Sequence, residues 1–173
     1  APDRRPTVAD FLSDNDDLRW YFERGIDWTA LFEQTSILDG DDAAVSDPAE
    51  AKAFWTEIAE LIATFAAEEI APHAAEIDTQ QMQIVDGEVV MPPRLSTIFE
   101  GLKALEIHGM CLPTQLGGMN CPLMLYFLSA ELIARADVSV MTHHSFHGGM
   151  AMAMMTYSLL EGTTEFDPES KQL

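Results

Sequence analysis

The sequence predicts an all-α fold, an orthogonal or up-and-down bundle of about five to six helices interrupted by a small β-hairpin near residues 84–91. Three observations carry this expectation. Apolar residues recur at helical spacing in several long windows, the helix starts and stops are marked by capping residues, and the one Asp-Gly pair between short apolar runs, in Ile84 to Met91, reads as a hairpin turn. At 173 residues with 47% apolar content the chain is long enough for one domain with a real core and ordinary enough in composition to fold.

Taken in order, Asp10 to about Arg24 carries Phe11, Leu18, Trp20, Tyr21 and Phe22 among carboxylates, a short amphipathic helix that Gly25 ends. A second short helix is expected around Trp28 to Phe32, followed by a solvated acidic turn region at Asp39, Gly40, Asp41 and Asp42. The first long helix starts where Asp47 caps, Pro48 takes the first helical position and Glu50 completes a capping box. Its expected buried stripe is Phe54, Ile58, Leu61 and Phe65, and Pro72 should kink or break it. After the hairpin, Pro92 and Pro93 open a helix with the stripe Leu95, Ile98, Phe99, Leu102 and Leu105, closed by His108 and Gly109. Cys111 to Cys121 reads as loop, Pro122 to Ala136 as the next helix, and a last helix runs from about His147 to Leu160 with Gly162 as its stop.

Charge narrows the function classes. Nine Lys and Arg against 29 Asp and Glu give a formal net charge of -20, which repels the backbone of a nucleic acid and an anionic membrane surface alike. No apolar run is long enough to span a bilayer, and the opening Ala-Pro-Asp-Arg-Arg-Pro has no signal-like apolar stretch, so a soluble, cytoplasmic protein is expected. Cys111 and Cys121 do not form a Cys-x-x-Cys pair and read as reduced thiols, with a disulfide between them as the alternative.

Several side chains suggest chemistry and have a plainer reading beside it. His143, His144 and His147 suggest a metal site, yet no His-Glu-x-x-His occurs and no Glu stands three residues before any His; the plainer reading is a helix start facing a pocket or a subunit contact. Met150, Met152, Met154 and Met155 would suit a tunnel for a flexible apolar chain or an ordinary core; Met152 and Met155 share one helix face, Met150 and Met154 another. Glu131 and Arg135 are spaced as an i, i+4 ion pair. Gly117 and Gly118 form no dinucleotide fingerprint, and neither a phosphate loop nor a nucleophile elbow is present.

Three stretches together resemble the acyl-CoA dehydrogenase family, in that family's order. They are Glu-Glu-Ile-Ala-Pro-His-Ala-Ala-Glu-Ile-Asp from Glu68 to Asp78, the helix and Pro-x-x-x-Gly-Gly loop from Leu102 to Met119, and Ser-Ala-Glu-Leu-Ile-Ala-Arg-Ala-Asp-Val-Ser-Val from Ser129 to Val140. The opening Asp-Asn-Asp-Asp-Leu-Arg-Trp-Tyr-Phe-Glu-Arg is similar to the N-terminal extension of larger members, including 3-methylmercaptopropionyl-CoA dehydrogenases.

The resemblance implies a division into an extension over residues 1–46 and the helical N-terminal domain over residues 47–173, ahead of a β-domain. It implies α,β-dehydrogenation of an acyl-CoA thioester with FAD as hydride acceptor, an electron-transfer acceptor, and a homo-oligomer. In the family the flavin contacts and the catalytic glutamate belong mainly to later segments, so no catalytic, cofactor-binding or metal residue is carried over here, and the chain alone is expected not to catalyse. What does carry over is one wall of the acyl pocket, on the helix from near His143 to near Leu160: Ser145, Phe146, Gly149 and Met152. The alternative is a non-catalytic helical interaction or dimerisation module whose apolar face pairs with a partner.

Overall fold

The computed structural model describes residues 10–35, 45–167, 169–170 and 173. The fold is an all-α bundle with one small antiparallel hairpin. The acidic turn at Asp39 to Asp42 lies outside the described residues.

α1 (Asp16–Trp20) starts at Asn15, whose side chain accepts from the backbone N–H groups of Asp17 and Leu18. It continues as a π turn over Tyr21–Gly25, which keeps Leu18 and Phe22 buried, and Gly25 ends it as expected. Trp20 and Tyr21 remain 54% and 44% exposed, so this segment docks through Phe11, Leu18 and Phe22 rather than through all its aromatics. α2 (Trp28–Thr35) follows, and the Trp28 indole donates to the carbonyl of Phe22 at 3.2 Å.

α3 (Pro48–Phe65) begins on the expected cap. Asp47 Oδ1 accepts from Ala49 and Glu50 at 2.8 and 2.9 Å, and Glu50 reaches back to the N–H of Ser46 at 3.0 Å. Its buried face differs from the expected stripe. Ala51, Trp55, Ala59, Ile62 and Ala63 are buried, Phe54, Ile58 and Phe65 flank them, and Leu61 is 45% exposed. The core side is therefore turned by about one residue, because small alanines let neighbouring helices approach closely while the larger side chains pack at the margins. At Pro72 the helix does not run through. A π turn (Ala66–Ile70) and a 3₁₀ turn (Ala71–His73) absorb the missing N–H before α4 (Ala74–Thr79) resumes.

β1 (Gln83–Val85) and β2 (Glu88–Val90) pair antiparallel with Ile84 opposite Val89. Asp86 and Gly87 turn the chain with φ of 53° and 86°, the two positive dihedrals that a two-residue hairpin requires. α5 (Pro93–Ala104) buries Leu95, Ile98 and Leu102. It stops earlier than His108. Glu106 takes φ 56° and the chain turns inward to bury Ile107 and Met110 completely. The following loop contains a 3₁₀ turn at Thr114–Leu116 and folds back on itself, with Met119 and Cys121 both donating to the carbonyl of Met110 at 3.2 and 2.8 Å. Asn120 Nδ2 then donates to the carbonyl of Thr35 at 2.7 Å, tying the loop to α2.

α6 (Leu123–Ala136) and α7 (Val138–Glu161) meet at Asp137. That residue serves both helices. Its N–H donates to Ile133 at 3.0 Å to close α6, and its carboxylate accepts from Val140 at 3.0 Å to open α7. α7 therefore begins about nine residues before His147, and the histidines lie inside the helix rather than at its start. Gly162, at φ 71°, stops it as expected.

Among the described residues one hydrophobic core joins the helices, running from Phe11 and Phe22 through Trp55, Ile98 and Leu132 to Val140, with the hairpin exposed outside it. Arg135 helps to fasten the N-terminal part. It does not pair with Glu131; its guanidinium grips both carboxylate oxygens of Asp14, donates to the carbonyl of Phe11 at 3.2 Å and lies 4.4 Å above the Phe11 ring. A contact between residues 121 positions apart prevails over the local pair because it adds a bidentate geometry and an aromatic face. Arg135→Ala is expected to lower stability by about 1 kcal/mol, since both partners are more than a third exposed, as read by chemical denaturation beside Asp14→Ala and the double variant.

Candidate functional site

α7 is long, apolar and only lightly covered. Of its 24 residues only Val140, His144 and Gly148 are buried. Gly148 lets α6 come close, since a Cβ there would stand 2.5 Å from the Tyr126 hydroxyl, which donates to the carbonyl of Ser145 at 3.0 Å. The opposite face is bare. Phe146, Met150, Met154, Tyr157 and Leu160 are 65%, 63%, 72%, 64% and 76% exposed and recur at helical spacing along one stripe. On α6, Leu123, Met124 and Phe127 are exposed as well.

Two grooves of about 420 Å³ each open along the seam between α5 and α7 and share Phe99 and His143. One is apolar, with Met82, Leu95 and Phe146 in its walls. The other contains His108 and His147, with Lys103 between Glu100 and Glu106. A histidine cluster joins α7 to the end of α5. The His108 ring centroid lies 5.1 Å from those of both His144 and His147, His143 and His147 are 4.8 Å apart, and His143 stacks on Phe99 at 4.1 Å.

His144, almost fully buried with no hydrogen-bond partner for Nδ1 among the described residues, is pushed down to about 4 by desolvation, reinforced by the neighbouring imidazoles. Desolvation also lowers His108 and His143. His147 Nδ1 lies 2.9 Å from the carbonyl of His143, which can only accept, so this nitrogen is the donor. Among the described residues, no three or more His, Cys, Asp or Glu side chains gather so as to hold a metal ion. His144 is buried and His147 exposed, yet both rings lie 5.1 Å from that of His108, with His143 beside His147 at the groove. His108 escaped the sequence reading because it belongs to a loop, outside any periodic pattern.

The four wall candidates fall in different surroundings. Phe146 is exposed and lines the apolar groove. Ser145, half-buried, turns its hydroxyl to Met141 Sδ at 3.3 Å. Met152 packs against the core, while a Cβ at Gly149 would meet nothing within 4 Å. Helical spacing puts Ser145, Gly149 and Met152 on one ridge and Phe146 about 100° around from it. The methionine faces follow the expected division, with Met152 and Met155 half-buried and Met150 and Met154 exposed.

A family model described as "Acyl-CoA dehydrogenase, N-terminal domain" matches residues 55–165, which takes in most of α3 and everything through α7. The chain belongs to the acyl-CoA dehydrogenase family. No curated protein and no solved structure gave a match. The acyl-CoA dehydrogenase match begins after α1 and α2, so the segment fastened by Arg135 and Asn120 lies outside it. The family is flavin-dependent, but the grooves of this dehydrogenase domain do not by themselves fit a flavin dinucleotide. Among the described residues that line them, Lys103 is the one Lys or Arg, and it stands between Glu100 and Glu106, which oppose an anionic diphosphate. No helix among the described residues is long and apolar enough to cross a membrane.

Proposed function

We propose that this chain is the N-terminal helical domain of an FAD-dependent dehydrogenase that removes hydrogens from the α and β carbons of an acyl-CoA thioester, and that it contributes one wall of the acyl pocket rather than the catalytic groups. The observation that carries this reading is the bare apolar stripe of α7, from Phe146 to Leu160, in a chain of family-matched sequence. An acyl chain needs such a surface, because its methylenes gain free energy only from leaving water. Phe146 and Gly149 are the wall residues open to a ligand, while Ser145 and Met152, on the ridge of Gly149, are half-buried.

The chemistry also requires a carboxylate to take the α proton and donors to polarise the thioester oxygen. In the family these belong to other segments, together with most flavin contacts, so no glutamate of this chain is given the role of base. An electron-transfer acceptor, a homo-oligomeric assembly and a place among the larger members similar to 3-methylmercaptopropionyl-CoA dehydrogenases belong to the same proposal. Mixing the purified chain with FAD and acyl-CoA tests it. The expected result is no stoichiometric flavin and no bleaching near the flavin absorption maximum; a chain that holds FAD and is reduced by substrate overturns this division of labour.

The same stripe supports a second reading, a non-catalytic module that pairs through α7. Light scattering tests it, because a strictly monomeric chain over a wide concentration range contradicts pairing.

A further inference from the structure

Cys111 and Cys121 bracket the loop at residues 112–120, and both are free and buried, at 8% and 6% exposure. The backbone holds them together. Cys121 donates to the carbonyl of Met110 at 2.8 Å, and that oxygen stands beside Cα of Cys111 across a single peptide, so covalent dimensions keep the two Cα atoms within about 7 Å. Met119 donates to the same carbonyl at 3.2 Å and Asn120 to that of Leu112 at 2.8 Å, which fixes the register of the two ends. The two thiols are close enough to influence each other's ionisation, and the Cys121 S–H donates to the carbonyl of Pro122 at 3.4 Å. A disulfide cannot join Cα atoms more than about 7 Å apart, and this pairing respects that limit.

We propose that Cys111 and Cys121 are a redox pair that a peroxide converts to an intramolecular disulfide, clasping the two ends of the loop.

The two sulfurs are not equivalent. The neighbouring Cys121 thiol lowers Cys111 against the opposing effect of burial, whereas burial pushes Cys121 strongly up. Cys111 is therefore the attacking sulfur and Cys121 the resolving one. The Cys111 thiolate attacks one peroxide oxygen, the O–O bond breaks, and the departing hydroxide takes a proton to become water, leaving a sulfenic acid on Cys111. Cys121 sulfur then attacks Cys111 sulfur, the S–O bond breaks, and the hydroxyl leaves as water with the Cys121 proton. Two thiols are oxidised and one hydrogen peroxide is reduced to two waters. The covalent clasp would fasten the loop that presents Asn120 to the carbonyl of Thr35 and Gln115 to the N–H of Leu173.

The test treats the folded chain with a small excess of hydrogen peroxide, followed by intact mass and non-reducing peptide mapping. The expected result is a loss of about 2 Da with one peptide pair joined through Cys111 and Cys121, reversed by dithiothreitol. In Cys121→Ser a sulfenic acid trapped by dimedone should accumulate on Cys111, and in Cys111→Ser the remaining thiol should stay reduced. The wild-type measurement stands even if either variant folds poorly. Thiols that react only after denaturation, a disulfide that forms only between chains, or a dimedone adduct on Cys121 would each overturn the proposal.

Discussion

Replacing Gly118 by alanine is expected to destabilise the protein by about 3 kcal/mol or more, and urea unfolding against the wild type measures it. A Cβ at Gly118 would stand 2.0 Å from the carbonyl oxygen of Leu112 and 2.6 Å from that of Gly109. Both obstacles are main chain, so no side chain can swing aside. The carbonyl of Gly109 already accepts from Leu112 at 2.9 Å and that of Leu112 from Asn120 at 2.8 Å, so moving either one breaks the loop's own fastening. Gly149→Ala is the contrasting case. Its Cβ meets nothing within 4 Å inside a regular helix, and removing glycine's backbone freedom there is expected to stabilise by up to about 1 kcal/mol.

Acidification should produce the second large effect. His144 has a folded-state value of about 4 against 6.5 when unfolded, so its neutral form belongs to the fold. The sign follows from this depression. The contribution is fully present above pH 6.5 and is lost as pH falls from 6.5 towards 4, because the unfolded chain binds a proton that the folded chain refuses. Over that window the loss is on the order of 3 kcal/mol, and the lowered values of His108 and His143 act in the same direction. Protonating carboxylates meanwhile relieves the repulsion of a chain with net charge -20, so the informative quantity is a difference. Stability curves from pH 7 to 4 should fall more steeply for wild type than for His144→Leu. Parallel curves would contradict the assignment.

The features legible in sequence were those written locally. Asp47 with Pro48 and Glu50, Asp86 with Gly87, and the stops at Gly25 and Gly162 are each decided by a few neighbouring residues, and each was found where expected. The face that α3 buries was not legible. Large side chains dominate an apolar pattern, but Ala51, Ala59, Ala63 and Ala66 decide how closely helices pack, and Leu61 was left outside. Gly148, Gly149 and the histidines disguised the first half of α7, whose start depends on Asp137. Arg135 and His108 were misread for a different reason, since their partners are set by tertiary folding: Asp14 is 121 residues from Arg135, and His144 and His147 face His108 across the seam. The family motifs identified the helix that bears the candidate site, while the split between Phe146 at the groove and Ser145 turned inward required the packing of α6.

The most direct measurement for the central claim is photoaffinity labelling of the enzyme proposed above, loaded with FAD, using an acyl-CoA with a diazirine at the far end of its chain. Label mapped to the α7 peptide around Phe146 and Gly149, and displaced by unmodified acyl-CoA, is the predicted result. Displaceable label confined to other segments, with α7 untouched, would contradict the assignment of α7 as a wall of the acyl pocket.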